Sequence, residues 1–272
     1  MQGIGNDYIY FDCMRGEIAE PEKLSVKLSD RRFGIGGDGI ILLCKSDVAD
    51  CKMRMFNADG SEGKMCGNGI RCLGKLARDL GYVSGESCTV ETLAGVKRLF
   101  FFFGGDGKVE SVKVDMGAPE LNGRLIPSTV EGERVVGYPL KVGGKTYAVT
   151  LVNMGNPHCV VFADPDSTDV EGVGRLFENS PVFPDRVNTE FVKVTGKNSL
   201  KMRVWERGSG ETYACGTGAC AAVVAAVLNG YCKAGEKVTV SLLGGELEIV
   251  CTGDSVFMTG AATLVFTGET AV

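Results

Sequence analysis

Histidine is almost missing from this chain of 272 residues: His158 is the only one, and no Cys-x-x-Cys pair occurs among the 11 cysteines. A zinc site would have to be assembled from scattered thiols at unusual spacing, and no metal is expected. Long apolar runs are missing too. The longest, Ala219 to Leu228, is broken by Asn229-Gly230 and reads as a buried helix, well short of the roughly 20 residues that cross a bilayer. There is no basic excess either. The formal net charge of −5 argues against nucleic acid or an anionic membrane as the main partner. The opening stretch MQGIGNDYIYFD lacks the basic and apolar regions of a signal peptide, and the cysteine usage suits a reducing compartment. A cytoplasmic protein is the expectation.

What is present is an ordinary globular composition, 44% hydrophobic and 23% charged, ample for a core. Within it one stretch occurs twice. Residues 52–72 read KMRMFNADGSEGKMCGNGIRC, and residues 201–221 read KMRVWERGSGETYACGTGACA. Without a gap, Lys52-Met53-Arg54 meets Lys201-Met202-Arg203, Glu62 meets Glu211, and Cys66-Gly67-x-Gly69 meets Cys215-Gly216-x-Gly218, all at an offset of 149 residues. Gly5-Asn6 and Gly155-Asn156 form a weaker echo. A period of over half the chain implies two related domains rather than a solenoid.

The local patterns place these motifs. A first-turn proline and apolar Leu24 and Leu28 predict a helix over 21–32. Gly34-Ile35-Gly36-Gly37-Asp38-Gly39 matches G-x-G-x-x-G in letters, but it follows a helix and enters the strand Ile40–Leu43. It therefore reads as a glycine-rich turn near the site and not as a dinucleotide fingerprint. The strand 52–56 leads through a polar loop to Cys66, and the periodicity from Gly67 to Leu80 predicts a helix that stops at Gly81. Strands at 87–93, 97–103 and 109–116 follow. The second half repeats the theme: strands within 138–152, a strand at 159–162, a short helix at 169–179, strands at 189–194 and 200–205, then Cys215 and the alanine-rich helix 217–229. Strands at 236–243, 246–251 and 255–258 follow, and the last stretch, Ala262–Phe266, is expected to be a strand crossing back to the first domain. Five cysteines in apolar runs (Cys13, Cys44, Cys51, Cys159 and Cys251) read as small buried hydrophobes.

Cys66 and Cys215 read differently, because each stands just before a helix. A helix start carries unpaired N–H groups and a positive partial charge, so a thiol there is expected to have a lowered pKa. The flanking glycines let a ligand carboxylate approach those N–H groups. Two such starts facing each other would suit the inversion of a carbon α to a carboxylate, one thiolate removing the proton while the opposite thiol returns one. The charge developing on the carboxylate would be held by the helix ends. His158 and Glu206 are candidates for setting which thiol starts ionised. Either copy alone could equally be a tight turn with a buried cysteine, and Glu206-Arg207 a surface ion pair of little weight.

The motifs together resemble the diaminopimelate epimerase family. The matching residues are Gly5-Asn6-Asp7-Tyr8, Phe56–Glu62, Cys66–Cys72, Gly155-Asn156-Pro157-His158-Cys159, Arg186-Val187-Asn188 and Glu206–Cys220. The resemblance implies an α/β (α+β) fold of two pseudo-symmetric domains, each a curved, mostly antiparallel β-sheet or barrel wrapped around a central helix. The expected division is 1–114, completed by the C-terminal strand 259–272, and 115–258.

It also implies a cofactor-independent epimerase that inverts LL-2,6-diaminopimelate to the meso form in lysine and peptidoglycan precursor synthesis. Cys66 and Cys215 would be the acid/base pair. Asn6, Asn57, Gly67, Asn68, Asn156, Asn188, Glu206, Arg207, Gly216 and Thr217 would hold the substrate, and a homodimer is the expected assembly. Arg207 can fork a distal carboxylate, and the asparagines can both donate and accept. The chain departs from the family in two places. Gly39 stands where many members have glutamine, suggesting a lost side-chain contact, and the chain starts several residues late, suggesting a shortened first strand.

Four other readings predict different behaviour. A proline-racemase-like enzyme would want a smaller, less polar distal pocket. A thiol redox or metal protein would want closely spaced cysteine pairs, and a binding protein would tolerate loss of either thiol. A pyridoxal-dependent racemase would need a Schiff-base lysine.

Overall fold

In the computed structural model, which describes residues 1–270, the sequence repeat reappears as a repeat of strand pairings. The chain divides into two compact units, Met1–Asp115 together with the segment from Thr259 onward, and Met116–Met258.

In the first unit, strand Ile9–Cys13 runs parallel to Gly39–Cys44, and the crossover between them carries helix α1 (Pro21–Ser29). Gly39–Cys44 pairs antiparallel with Cys51–Asn57, which pairs parallel with Ser87–Thr92 across helix α2 (Gly67–Asp79). Two antiparallel steps, to Gly95–Phe103 and then Val109–Gly117, complete the order. A parallel pair needs a crossover, which is why each parallel step coincides with a helix.

The second unit repeats the plan. Pro157–Phe162 is parallel to Asn188–Gly196 across helix α3 (Val170–Glu178). Asn188–Gly196 is antiparallel to Ser199–Glu206, which is parallel to Lys237–Leu242 across helix α4 (Gly216–Leu228). The antiparallel Gly245–Cys251 follows, and an additional hairpin, Tyr138–Val142 with Lys145–Asn153, precedes the repeat. The expected mixed, mostly antiparallel sheet is present in both units.

The repeat extends to the helix ends. α2 stops at Gly81 (φ +77°), where Tyr82 N–H reaches back to Ala77 O at 3.0 Å. α4 stops at Gly230 (φ +77°), where Tyr231 N–H reaches Ala226 O at 2.8 Å. A left-handed residue satisfies the last carbonyls this way, and glycine adopts that conformation without a Cβ penalty. α4 is apolar on nearly every side and buried, as the sequence of Ala219–Leu228 requires. In the second unit's main core cluster, Phe177 of α3 packs edge-on against Tyr147 and Phe191 at centroid distances of 5.2 and 6.3 Å.

Two expectations on elements are corrected. The first helix ends at Ser29, not at residue 32, because the Asp30 side chain accepts from the N–H groups of Arg32 and Phe33 and turns the chain. Ala262–Phe266 is not a strand. The strand lies earlier, at Val256–Ala261, and Thr263 makes only a single bridge to Gln2.

Candidate active site

Each half of the repeat builds the same device at the start of its buried helix. Cys66 is the N-cap residue of α2, extended at φ −125°, and its Sγ accepts from Gly69 N–H at 3.4 Å. Cys215 is the N-cap of α4 at φ −117°, and its Sγ accepts from Gly218 N–H at 3.3 Å. Serine or aspartate usually fills this role, and a sulfur here is held against the positive end of the helix.

In the first unit the Cys66 thiol donates to Asn6 Oδ1 at 3.3 Å. The amide is oriented from its other end, where Asn6 Nδ2 donates to Asp38 Oδ2 at 2.7 Å. Asp38 also accepts from Asp7 N–H, and Arg31 bridges it to the Asp7 carboxylate. Arg31 holds Asp7 below the usual carboxylate range, whereas burial, and then the Asp7 charge, push Asp38 up. The glycine-rich turn therefore connects to Cys66, through Asp38 and Asn6.

The other implicated residues of this unit are near in sequence but differently engaged. Asn57 donates to Ser61 Oγ at 3.0 Å. The Asn68 side chain is buried and accepts from Arg71 at 2.9 Å, which leaves the backbone of Gly67-Asn68 as the part of that turn that a ligand can address.

In the second unit His158 is fully buried, with Nδ1 2.6 Å from Glu190 Oε1 and Nε2 2.9 Å from Asn156 Oδ1. Asn188 ties two segments together, donating to Pro157 O at 2.8 Å and accepting from Arg207 N–H at 2.9 Å. Glu206 accepts from the Thr212 hydroxyl. Burial pushes its carboxyl up, and its bonds from Thr212 and Cys215 offset this only in part. Glu206 and Arg207 do not pair: the Arg207 guanidinium donates to Asp185 O at 2.8 Å. The loop that carries Glu206 to Glu211 is anchored by buried Glu178, which accepts from Trp205 Nε1 at 2.7 Å and from Gly208 N–H at 2.9 Å.

The lowered pKa expected of a thiol at a helix start does not hold at Cys215. Burial first, then the charges of Glu206 and Glu190, push it well above the ordinary thiol value, and the bonds from Thr217 and Gly218 do not reverse this. Desolvation outweighs the helix end.

Three residues that sequence reasoning does not single out join these hydrogen-bond networks: Arg31, Asp38 and Glu190. Glu190 also marks where the two halves differ. A Cβ on Gly218 would lie 2.7 Å from Glu190 Oε1, and one on Gly69 would lie 2.5 Å from Ile41 Cδ1. Ile41 and Glu190 stand at the repeat's own offset of 149 residues. One half thus backs its helix start with an aliphatic chain and the other with a carboxylate.

Gly39 differs from the simple loss of a contact. A Cβ there would sit 2.0 Å from Phe56 O, and φ is +154°, so this backbone admits no side chain at that position. Among the described residues no group of three or more His, Cys, Asp or Glu side chains is placed to hold a metal ion, and no helix is long and apolar enough to cross a membrane.

The solved structures similar to this chain share its fold at low identity. A hydroxyproline epimerase from Agrobacterium vitis, with bound trans-4-hydroxy-L-proline, matches at TM-score 0.64 and 14% identity over 96% of this chain and 86% of its own. A PhzF-family phenazine biosynthesis protein from Bacillus anthracis matches at TM-score 0.62 and 18% identity over 92% and 88%. Curated relatives are far closer in sequence. The diaminopimelate epimerases of Desulfovibrio desulfuricans and Leptospira biflexa are each 50% identical, over 99% of this chain and 96% of theirs. That of Methanococcus maripaludis is 50% identical over 99% and 97%. The family model described as diaminopimelate epimerase matches residues 1–122 and 150–265. With both cysteine-capped helices inside the matched ranges, the chain belongs to the diaminopimelate epimerase family.

Proposed function

We propose that the protein inverts one α-carbon of 2,6-diaminopimelate, interconverting the LL and meso forms, with Cys66 and Cys215 as the two acid/base groups. One observation carries the reading: two cysteines at equivalent places in the repeat each cap a buried helix and accept the same third-residue N–H. An α-proton beside a carboxylate is a very weak acid, so a thiolate alone is insufficient. The first-turn N–H groups of Gly67-Asn68 and Gly216-Thr217 supply donors for the charge that develops on the substrate carboxylate, an effect worth roughly 3–4 kcal/mol per donor in comparable sites. The raised pKa of Cys215 supports it as the group that starts as a neutral thiol and gives a proton, with Cys66 taking one. Asn6, oriented by Asp38, then accepts from or releases the Cys66 thiol as its charge changes.

His158 and Glu206 support Cys215 from within its own unit. Asn57, Asn156, Asn188 and Arg207 are the residues assigned to the distal amino and carboxylate groups of the substrate. The reaction needs no cofactor, and the enzyme works as a cytoplasmic homodimer.

The test is proton NMR of LL-diaminopimelate in D2O with the reduced protein and nothing else added. Loss of the α-proton signal with growth of the meso isomer is expected, and Cys66→Ala and Cys215→Ala should each abolish turnover. Exchange seen with proline and not with diaminopimelate would keep the chemistry and overturn the substrate.

A further inference from the structure

We propose that Cys13 and Cys44 form a second thiol site, a dithiol pair in the first unit that reacts with small anionic disulfides. The pair is independent of the epimerase site. Cys13 and Cys44 end neighbouring parallel strands and are direct register partners. Adjacent strands lie about 4.8 Å apart, inside the roughly 4.4–6.8 Å range of Cα separations that a disulfide spans. Both side chains belong to one apolar cluster with Leu42 and Ile18, so they lie on the same face of the sheet.

That face opens on a cavity of about 560 Å³ whose lining includes both cysteines, four cations (Arg15, Lys45, Lys52 and Arg54) and one carboxylate, Glu17. Lys52 and Arg54 are paired at 2.9 and 2.8 Å to Glu91 and Glu62, carboxylates outside that lining. With those two cations offset, Arg15 and Lys45 against Glu17 still leave the lining net positive around a partly exposed Cys44 and a buried Cys13. Cys44 is packed against the apolar cluster but only partly buried, where its apolar run suggests a buried residue.

Exposure sets the order of events, since Cys44 is partly exposed and Cys13 is buried, and the electrostatics agree. The Cys13 thiol bonds Cys44 and, with Arg54 and Lys52, holds Cys44 below the ordinary thiol range against the opposing effects of burial and Glu17. The same bond, with burial, pushes Cys13 up. Cys44, the accessible member of the pair, is thus the attacking thiolate, and buried Cys13 the resolving thiol.

The chemistry balances with a disulfide RSSR as the oxidant. The Cys44 sulfur attacks one sulfur of RSSR, the S–S bond breaks, one RS⁻ leaves, and Cys44 holds a mixed disulfide. Cys13 loses its proton to solvent and attacks the Cys44 sulfur, releasing the second RS⁻. Two thiols are oxidised to one disulfide, and one RSSR is reduced to two thiolates. A cationic cavity favours an anionic RSSR over a neutral one.

The probe is 5,5′-dithiobis(2-nitrobenzoate), a dianionic disulfide, mixed with the native reduced chain. Remaining thiols are then capped with N-ethylmaleimide in denaturant, and the chain is mapped by trypsin and mass spectrometry. The cleavage sites separate the thiols, since residues 1–15, 33–45 and 46–52 carry only Cys13, Cys44 and Cys51. The expected result is modification of 33–45 on the order of tenfold faster than of 46–52, followed by a product joining 1–15 to 33–45. In Cys13→Ser the reaction should stop at the Cys44 adduct. Raised salt should slow the anionic reagent, and the neutral 4,4′-dithiodipyridine should show no such slowing. Labelling of Cys44 no faster than Cys51 would overturn the site. Equal salt response of the two reagents would overturn its anion preference, and a lasting Cys44 adduct in the unmutated chain would overturn the pairing.

Discussion

Glu190 Oε1 lies 2.6 Å from His158 Nδ1, and both side chains are fully buried. The contact fixes the ring between the Glu190 carboxylate and Asn156, whose Oδ1 lies 2.9 Å from Nε2. A Cβ on Gly218 would lie 2.7 Å from the same oxygen and 3.1 Å from the Cys215 sulfur. Glu190 thereby links the histidine to the helix start.

Replacing Glu190 with Gln keeps its volume and removes its charge. We expect kcat to fall about 100-fold, within the range typical of acid–base support, with little change in KM. The check is steady-state kinetics with each stereoisomer, beside the urea midpoint to show that the fold is retained. Unchanged kcat would remove Glu190 from the chemistry.

The two helix glycines should respond unequally to alanine. In Gly69→Ala the new methyl meets the tip of Ile41, which can turn aside. In Gly218→Ala it meets the Glu190 carboxylate at 2.7 Å and Cys215 Sγ at 3.1 Å. Both changes gain up to about 1 kcal/mol of helix propensity. Gly69→Ala should keep most activity, and Gly218→Ala should lose more than about tenfold through displaced Glu190. Equal loss in the two variants would contradict the distinction.

Asp38→Asn tests the orientation of Asn6. An asparagine cannot accept at two oxygens, so the bonds from Asn6, Asp7 and Arg31 cannot all persist. A roughly tenfold fall in kcat is expected, with the defect in Cys66-dependent solvent exchange and not in substrate affinity. Isotope exchange at the α-carbon in D2O reads it directly.

Gly39→Gln should not recover a contact. The Cβ clash with Phe56 O forces the backbone to move, at about 1–3 kcal/mol. A lowered urea midpoint is expected, and an unchanged one would show that the strand yields easily.

Several elements could be read from the sequence because their causes are local. Cys66 and Cys215 announce themselves by glycine spacing and by recurrence, and Gly81 and Gly230 by the left-handed stop. Glu190 does not. Thr189 to Val192 are buried on both faces, so strand alternation carries no information about where a carboxylate points. A charge inside such a run is the one available signal. Arg31 is hidden for another reason: its segment looks helical, and only the Asp30 turn frees it to reach Asp7 and Asp38. The Cys215 pKa is misjudged because a helix end acts locally, whereas the burial that overrides it is tertiary.

Buried thiols make the fold sensitive to alkali. Burial raises Cys51 from an ordinary 9.0 to about 12, and also pushes Cys159 and Cys215 well above the ordinary value. Below pH 9 folded and unfolded forms are both protonated and nothing is lost. Between pH 9 and the folded pKa only the unfolded chain ionises, so stability declines by about 1.4 kcal/mol per pH unit for each such group. Urea midpoints should fall steeply from pH 9 upward, and Cys51→Ala should flatten the slope by one group. A flat profile to pH 11 would contradict this.

The unlike walls behind the two glycines, Ile41 behind Gly69 and Glu190 behind Gly218, have a thermodynamic consequence. A catalyst leaves the equilibrium between stereoisomers where solution chemistry puts it, so the ratio of kcat/KM in the two directions is fixed whatever stands behind each helix. What the asymmetry can change is how the free energy is divided among the bound states. Trading Ile41 for a carboxylate, or Glu190 for an aliphatic chain, would change kcat/KM in both directions by the same factor, so their Haldane ratio stays constant.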